Sequence, residues 1–537
     1  MKIRIVLLLD SFSVPAWAWE AIAQVYQEKN AAVVLAVINT NPIPSGSKSP
    51  FLYRVYRYLD RKLFLTQPDA FAKKDLREIS NWKVPQLRLS PVQKKYSDYF
   101  KPEDLEKISE YQPDLILRFG FRILRGEILT LPTLGVWSFH HGDPKYYRGG
   151  PPAFWEVMNR QSITSFVLIQ LTEELDQGPI LYQSWIQSDP LSVQRNANRL
   201  FWASAQAPRR VLKEIERLGR RNWNNKISKF PLLEKGPLWK PPSTLQMLKL
   251  WNSLLTRNLK RKCGELLNRA HWQIGKVSGS VPCSSLSINP SDIQLVEHPN
   301  PDQYYLADPF PVNFNGIEYL FVEEFDKKKN KGRIVWISQS ESGIQIHPVI
   351  EEDWHLSYPF LWEEKDQFFM IPESSEAGKI HLYKAIEFPL KWENQVVLFE
   401  HEGYDPTMVK KDGIYWLFIT QKAHPACWPF DELSLYWTDD LYKPQWNAHP
   451  QNPIVSDVRQ ARSAGRLFEK DGMWYRPAQD SGVRYGHQIR IQKIKKWSKL
   501  EYEEETFQII HADSPAFGIH TWNQNELRTW VDFYFRK

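Results

Sequence analysis

Cysteine is nearly absent. The three present, Cys263, Cys283 and Cys427, are odd in number and widely scattered, which excludes a disulfide framework and a cysteine-based zinc site. A reducing, cytoplasmic compartment is the expectation, and no metal is expected. Long apolar runs are missing too. The best candidate, Ile3 to Leu9, stops at Asp10, far short of the roughly 20 residues a membrane helix needs, so no integral membrane segment is expected. Lys2 and Arg4 give that run a basic start, but it is about half the usual length of a signal-peptide core and an acid interrupts it. It reads as a first buried strand. The excess of one charge sign is small, with 69 basic and 62 acidic residues giving +7, and nucleic-acid binding would show a denser basic face. No nucleic-acid partner is expected. No G-x-G-x-x-G follows the first apolar run, and Asp10-Ser11-Phe12-Ser13 does not replace it, which disfavours a dinucleotide site.

What is present is size and aromatic content. At 537 residues the chain is past the length at which one core stops growing, so two or three domains are expected. A charged fraction of 24% and a hydrophobic fraction of 42% are those of globular protein and exclude a disordered or collagen-like chain. Aromatics reach 14%, with 23 Trp; such residues pack β-sheet modules and stack on sugars, the first more commonly.

From Met1 to about Leu233, apolar runs alternate with helical spacing. Ile3 to Leu9, the amphipathic stretch Trp17 to Glu28 and the run Ala32 to Ile38 make a βαβ start, and Leu115 to Arg118 and Val136 to His140 continue a parallel sheet covered by helices. Sites in such sheets lie beyond the carboxyl ends of the strands. Between about Pro231 and Pro290 the composition shifts, with a helical stretch from Leu245 to about Trp272 carrying Arg257, Lys260, Arg261 and Lys262. That cluster reads as the solvated face of a linking helix, with a membrane surface or an anionic ligand as the alternative.

From about Ser291 the sequence is rich in short strands and repeats weakly. Ala307-Asp308-Pro309-Phe310, Ser357-Tyr358-Pro359-Phe360, Tyr404-Asp405-Pro406-Thr407, Ser463-Ala464-Gly465-Arg466 and His520-Thr521-Trp522-Asn523 each precede a turn and an aromatic return strand. Five units spaced by roughly 50 residues suggest a five-bladed β-propeller.

The densest chemical signal runs from Gly135 to Gly178. On a strand, Ser138 and His140 are two apart and share a face, and Asp176 lies in a turn between apolar strands. Moving an acyl group to an amine needs a base, a donor for the developing oxyanion and a charge partner for the imidazolium; His140, Ser138 and Asp176 suit those roles in that order. Equally, His140 reads as a hydrogen-bonded structural histidine and Asp176 as a turn residue.

These blocks resemble the formyltransferase family that uses 10-formyltetrahydrofolate. The matching segments are Pro113-Asp114-Leu115-Ile116-Leu117, Phe119-Gly120-Phe121-Arg122-Ile123-Leu124, Gly135 to Gly150, and Leu175-Asp176-Gln177-Gly178-Pro179-Ile180-Leu181. The resemblance implies a Rossmann-like α/β fold, catalytic roles for His140 and Asp176, and a folate pocket at the loop formed by Phe119, Gly120, Phe121, Arg122 and Leu124. Ser138 stands where the family has asparagine; its shorter hydroxyl would weaken oxyanion stabilisation by about 3 kcal/mol unless His141 or water compensates. The family's S-L-L-P after the histidine is replaced by Gly142-Asp143-Pro144-Lys145.

The later part is similar to the propellers of arabinanase and invertase-like glycosidases, and more closely to the propeller domain of plant glucosamine inositolphosphorylceramide transferases. Asp308, Glu324, Glu373, Asp405, Arg462, Arg476 and Asp480 are the residues expected to share a pocket there. Paired carboxylates are what glycoside hydrolysis requires, while Asp-Pro and Asp-Gly pairs also form turns.

The expected architecture is an α/β Rossmann-like formyltransferase domain at 1–230, a helical, basic linker at 231–290 and an all-β five-bladed propeller at 291–537. The expected function is formyl transfer from 10-formyltetrahydrofolate to an amino sugar, nucleotide-linked by analogy alone, with a glycan or glycolipid recognised by the propeller. One rival places carbohydrate chemistry in the propeller, at Asp308, Glu373 and Asp405; another makes both halves binding modules.

Overall fold

The computed structural model describes residues 2–42, 49–228, 236–267, 270–278, 287–288, 290, 293–340, 343–524 and 528–536. Two compact units emerge: Met1–Leu259 together with Ala423–Trp428, and Lys260–Lys422 together with Pro429–Lys537. The division falls within the helix Thr244–Leu267. Within the stretch 231–290 the helix sends Met247, Leu250 and Leu254 into a core cluster of the first unit, and Ala270–Ser278 pairs with Arg528–Arg536 in the second. Residues 230, 231 and 291, at the expected boundaries, lie outside the described residues, as does Cys283. Cys427 is buried and its thiol donates to the Arg199 carbonyl.

The first unit holds a seven-stranded sheet. Ile3–Leu9 is central; Ala31–Asn39 and Gln86–Leu89 lie to one side, and Leu115–Arg118, Val136–His140, Ile163–Gln170 and Ile180–Gln187 to the other. Five strands are parallel, and the last two add as an antiparallel edge. Both faces are covered, so the parallel strands are near-continuously apolar. Ile5, Leu7, Leu9 and Trp137 enter one core cluster, while Val6, Leu8, Ile116 and Val136 enter another on the opposite face, as a period of two requires. Because the chain reverses direction across the sheet beside Ile3–Leu9, the ends of Ile3–Leu9 and Leu115–Arg118 flank a topological switch point.

Among the described residues the second unit contains five sheets, antiparallel except where Ser287–Ile288 pairs parallel to Tyr502–Ala512. Four follow one another in sequence, beginning at Tyr304–Phe314, Ser357–Glu364, Tyr404–Lys411 and Phe468–Lys470. The fifth joins Gly518–Gln524 and Arg528–Arg536 to Ala270–Ser278 and Gln294–Val296. The sequence repeats have a structural cause. Ala307/Phe310, Ser357/Phe360, Tyr404/Thr407 and Ile519/Trp522 are each a register shift in the first strand of a sheet, with Asp308, Tyr358 and Asp405 at φ of 51°, 44° and 45°. An aspartate tolerates that left-handed backbone better than most residues, and a following proline has no N–H to lose from the interrupted ladder.

Candidate active site

Three neighbouring strand ends build the site of the first unit. Asp10 follows Ile3–Leu9, Arg118 ends Leu115–Arg118, and His140 ends Val136–His140. Gly120 lets the second of these approach the first, since a Cβ there would lie 2.3 Å from the Asp10 backbone nitrogen. Asp10 then accepts the Phe121 N–H at 2.7 Å and holds Phe121 at a φ of 64°.

Ser138 and His140 share a face, as their spacing requires, and both are buried. His140 Nε2 lies 2.8 Å from the Tyr147 carbonyl oxygen. A carbonyl only accepts, so Nε2 carries the proton in the neutral ring and Nδ1 keeps its lone pair. Nδ1 faces Asp176 Oδ1 at 3.9 Å, beyond a direct hydrogen bond. The Tyr147 carbonyl, rather than Asp176, therefore orients the imidazole. The gap between Nδ1 and Oδ1 suits a proton-bearing group that touches both. Asp176 itself sits at a φ of 55°. The Arg148 guanidinium donates to the Leu175 carbonyl at 3.0 Å, and Gly178 packs so closely on the Gln170 carbonyl that a Cβ would come within 1.7 Å of it.

Arg118 is the residue that sequence reasoning missed. Its Nη1 donates to Ser138 Oγ at 2.9 Å and its Nη2 to the Phe121 carbonyl at 2.9 Å, while Nε is buried without a hydrogen-bond partner. Burial pulls its pKa below the usual guanidinium range, against the opposing pull of Asp10, Asp176 and Asp98. Its position at a strand end was the available signal. Since Ser138 accepts from Arg118, its own hydroxyl proton is free to point elsewhere. His141 does not compensate for the missing amide. It turns to the other face of the strand, stacks on Phe201 at 3.6 Å and meets Ser204 Oγ at 2.9 Å, and burial pushes its pKa down to about 3.

The loop expected to hold folate is rigid. Phe119 and Gly120 donate their N–H groups to the Leu8 carbonyl, and Arg122 donates its own to Asp98. The next residues, Ile123–Arg125, form the outer strand of a three-stranded sheet, so Leu124 lies on an edge whose outward backbone groups can pair with a planar heterocycle. Glu173 closes the other wall by accepting the Gly126 N–H at 2.7 Å. Outward backbone donors and acceptors on such an edge have the hydrogen-bonding chemistry that a pterin ring would need.

In the second unit the carboxylates expected together are only partly so. Asp308 Oδ2 accepts the Tyr358 N–H at 3.0 Å and Oδ1 accepts Thr521 Oγ1 at 2.6 Å, while Asp532 accepts the Asp308 N–H at 3.0 Å. His520 bridges Asp532 at 2.8 Å and Asp308 at 3.3 Å. Asp308, His520 and Asp532 thus bring three atoms able to ligate a metal within 4.8 Å of one another. Asp405 forms a bidentate pair with Arg462, at 2.6 and 3.0 Å, and also accepts from Gln479 at 2.7 Å. Glu373 accepts from Ser357 Oγ at 2.9 Å.

Three expected members lie elsewhere. Glu324 turns away to His298 and Arg333, at 2.9 and 2.6 Å, and its neighbour Glu323, on the opposite face of the strand, feels the charges of Asp308, Glu373 and Asp405 instead. Arg476 pairs with Glu504 at 2.5 Å and Asp480 with Arg490 at 2.7 Å. Gln479, between them and on the other face, is the residue that reaches Asp405.

Burial, with the neighbouring carboxylates, lifts Glu323 well above its usual range, and burial lifts Asp308 to about 6. Between the ordinary pKa of each acid and its folded value, the folded chain binds more protons than the unfolded one, so stability falls as pH rises through that window. For Asp308 the window runs from 3.8 to about 6. His520 acts in the same direction: burial lowers it, but Asp532 and Asp308 outweigh that and raise it, so its contribution is lost as pH climbs above the histidine range. Thermal melts of Glu323→Gln across pH 4 to 8 should show a shallower decline than the parent. An unchanged pH profile would exclude Glu323 as a titrating group.

Comparisons with known proteins divide the chain in a similar way. Residues 277–530 match the family model described as glucosamine inositolphosphorylceramide transferase 1, N-terminal. The protein of that name from Arabidopsis thaliana is 31% identical over 278 residues, covering 48% of this chain and 36% of the relative. Methionyl-tRNA formyltransferase of Prochlorococcus marinus (strain NATL2A) is 32% identical over 120 residues, covering 22% of this chain and 34% of the relative. The chain spans about a third of the length of the curated relatives it matches. Among solved structures, the family 117 glycoside hydrolase Zg3597 of Zobellia galactanivorans covers 50% of this chain and 91% of its own, with 14% identity and a TM-score of 0.33. The C-terminal half is thus similar to glucosamine inositolphosphorylceramide transferases, and the N-terminal half more weakly to formyltransferases.

Proposed function

We propose that the first unit transfers a formyl group from 10-formyltetrahydrofolate to the amine of an amino sugar, and that the five sheets of the second unit form a five-bladed propeller that recognises the glycan or glycolipid to which that sugar belongs. The observation that carries the reading is the convergence of Ser138, His140, Asp176 and the buried Arg118 at adjacent strand ends, beside an open backbone edge at Leu124.

When bound, the co-substrate supplies an activated formyl carbon. The chain supplies the rest. His140 Nδ1 takes the proton from the amine as its nitrogen bonds to that carbon, and Asp176 offsets the imidazolium charge. Arg118 and the Ser138 hydroxyl donate to the formyl oxygen as it gains charge, a cation standing in for the amide that the resemblance led one to expect. His140 then returns the proton to the departing nitrogen.

Purified protein incubated with 10-formyltetrahydrofolate and a panel of free and nucleotide-linked amino sugars should yield one product heavier by a formyl group. Arg118→Met should lower its rate by about 10²- to 10³-fold, the range for losing an oxyanion donor. Product formation unaltered by Arg118→Met would remove Arg118 from the mechanism. Absence both of product and of folate binding would turn the reading to the second unit. There, Glu323, which burial and the neighbouring carboxylates hold well above its usual range, favours acid–base chemistry on a glycosidic bond. In that case Glu323→Gln would abolish sugar release and His140→Ala would not.

A further inference from the structure

The helix Phe51–Phe64 and the helix Thr244–Leu267, which continues past the unit boundary at Leu259, bury one face in the same core and expose apolar side chains beside cations. In Thr244–Leu267, Met247, Leu250 and Leu254 enter a cluster with Phe154 and Trp155. Leu245, Leu248, Leu255 and Leu259 recur at the same helical spacing on the opposite side, where Leu255 and Leu259 are 65% and 56% exposed. Lys249, Lys260 and Lys262 flank them, and no acidic residue occurs from Thr244 to Lys262. The helix Phe51–Phe64 packs Tyr56 into the same cluster and repeats the pattern. Phe51 and Tyr58, seven residues apart on one face, are 68% and 67% exposed, beside Arg54 and Lys62, while Arg57 and Arg61 pair with Asp60 and Asp69 at 4.0 and 2.5 Å. Its single acid, Asp60, is buried and accepts from Ser192 Oγ and the Gln194 N–H, both at 2.7 Å.

We infer that these two helices dock the protein on an anionic phospholipid bilayer. Charge decides the occupant. Leucines alone would suit a second copy of the chain as well, but two such faces would bring cationic rims together, whereas an anionic leaflet satisfies the cations while its acyl boundary takes the leucines. Among the described residues no helix is long and apolar enough to cross a membrane, so the attachment is interfacial and reversible. It does not depend on the reaction proposed for the first unit, although a surface-bound enzyme would be well placed to meet the headgroup of a glycolipid.

The test is flotation of the full chain with vesicles of phosphatidylcholine alone and of phosphatidylcholine mixed with phosphatidylserine. Binding should require phosphatidylserine, weaken with salt, and fall by about fivefold for each charge removed in Lys249→Gln, Lys260→Gln and Lys262→Gln. Leu255→Glu with Leu259→Glu should abolish it, and Phe51→Glu with Tyr58→Glu, on the other helix, should weaken it. Every substituted side chain is at the surface, and an unchanged thermal melt would show that each variant folds. Binding equal on neutral vesicles, no binding to either, or binding indifferent to these changes would overturn the inference. So would self-association in the absence of lipid that the leucine substitutions abolish.

Discussion

Formyl transfer should fall by about 10²- to 10⁴-fold in the His140→Ala chain, the range over which a positioned general base contributes, with folate binding and thermal stability close to those of the parent. The expectation follows from how the ring is held. The Tyr147 carbonyl fixes the proton on Nε2, so the free lone pair on Nδ1 points to where an amine would approach, with Asp176 on the far side of the gap. Alanine removes the proton acceptor and leaves the strand, the loop latch at Asp10 and the Arg118–Ser138 bond in place. Asp176→Asn tests the same geometry from the other side: it keeps the size of the side chain but removes the charge that offsets the imidazolium, so it should slow the reaction while leaving amine binding nearly unchanged. If His140→Ala transferred formyl groups at the parent rate, the base would lie elsewhere and the assignment of the site would fail.

The parts of this site that local rules determine could be read in the sequence. Alternation on a strand put Ser138 and His140 on one face, and the apolar run ending at His140 put them at a carboxyl edge. The turn before Gly178 announced Asp176. Arg118 could not be read in that way, because an arginine at the end of a strand ordinarily reaches water, and only the packing of three strand ends and the Asp10–Phe121 loop encloses it. In the second unit the Asp-Pro repeats announced Asp308 and Asp405 because the backbone bulge that needs them is local. Glu323 and Glu324 posed the opposite problem. A period of two says that neighbours face apart, but which one faces the acids is fixed by register relative to the bulge at Ala307. The same ambiguity let Arg476 and Asp480 stand in for Gln479, and it hid Asp532 and His520, which meet Asp308 only through a sheet assembled from distant segments.

Arg462→Met should destabilise the second unit by about 3–5 kcal/mol, the cost of leaving one member of a buried ion pair without its partner, which lowers its melting temperature by between about 6 and about 20 °C for a unit of this size. Arg462 and Asp405 are both buried, their bond is bidentate, and the guanidinium lies against the rings of Tyr404, Phe430 and Tyr485. Burial works against the charge on Arg462, and the Asp405 carboxylate outweighs it and raises the group, so the pair is a coupled unit rather than two tolerated charges. With methionine, Asp405 keeps only Gln479 as a side-chain hydrogen-bond donor. Adding Asp405→Asn removes the stranded charge, and the double variant should regain a large part of the loss; the non-additivity measures the coupling. If Arg462→Met melted like the parent, the pair would contribute nothing to the fold, and its retention in a buried aromatic setting would point to a charged group on a ligand instead. Calorimetry of the two single variants and the double variant separates these outcomes, because a ligand site would show its loss in glycan binding while leaving the melting temperature unchanged.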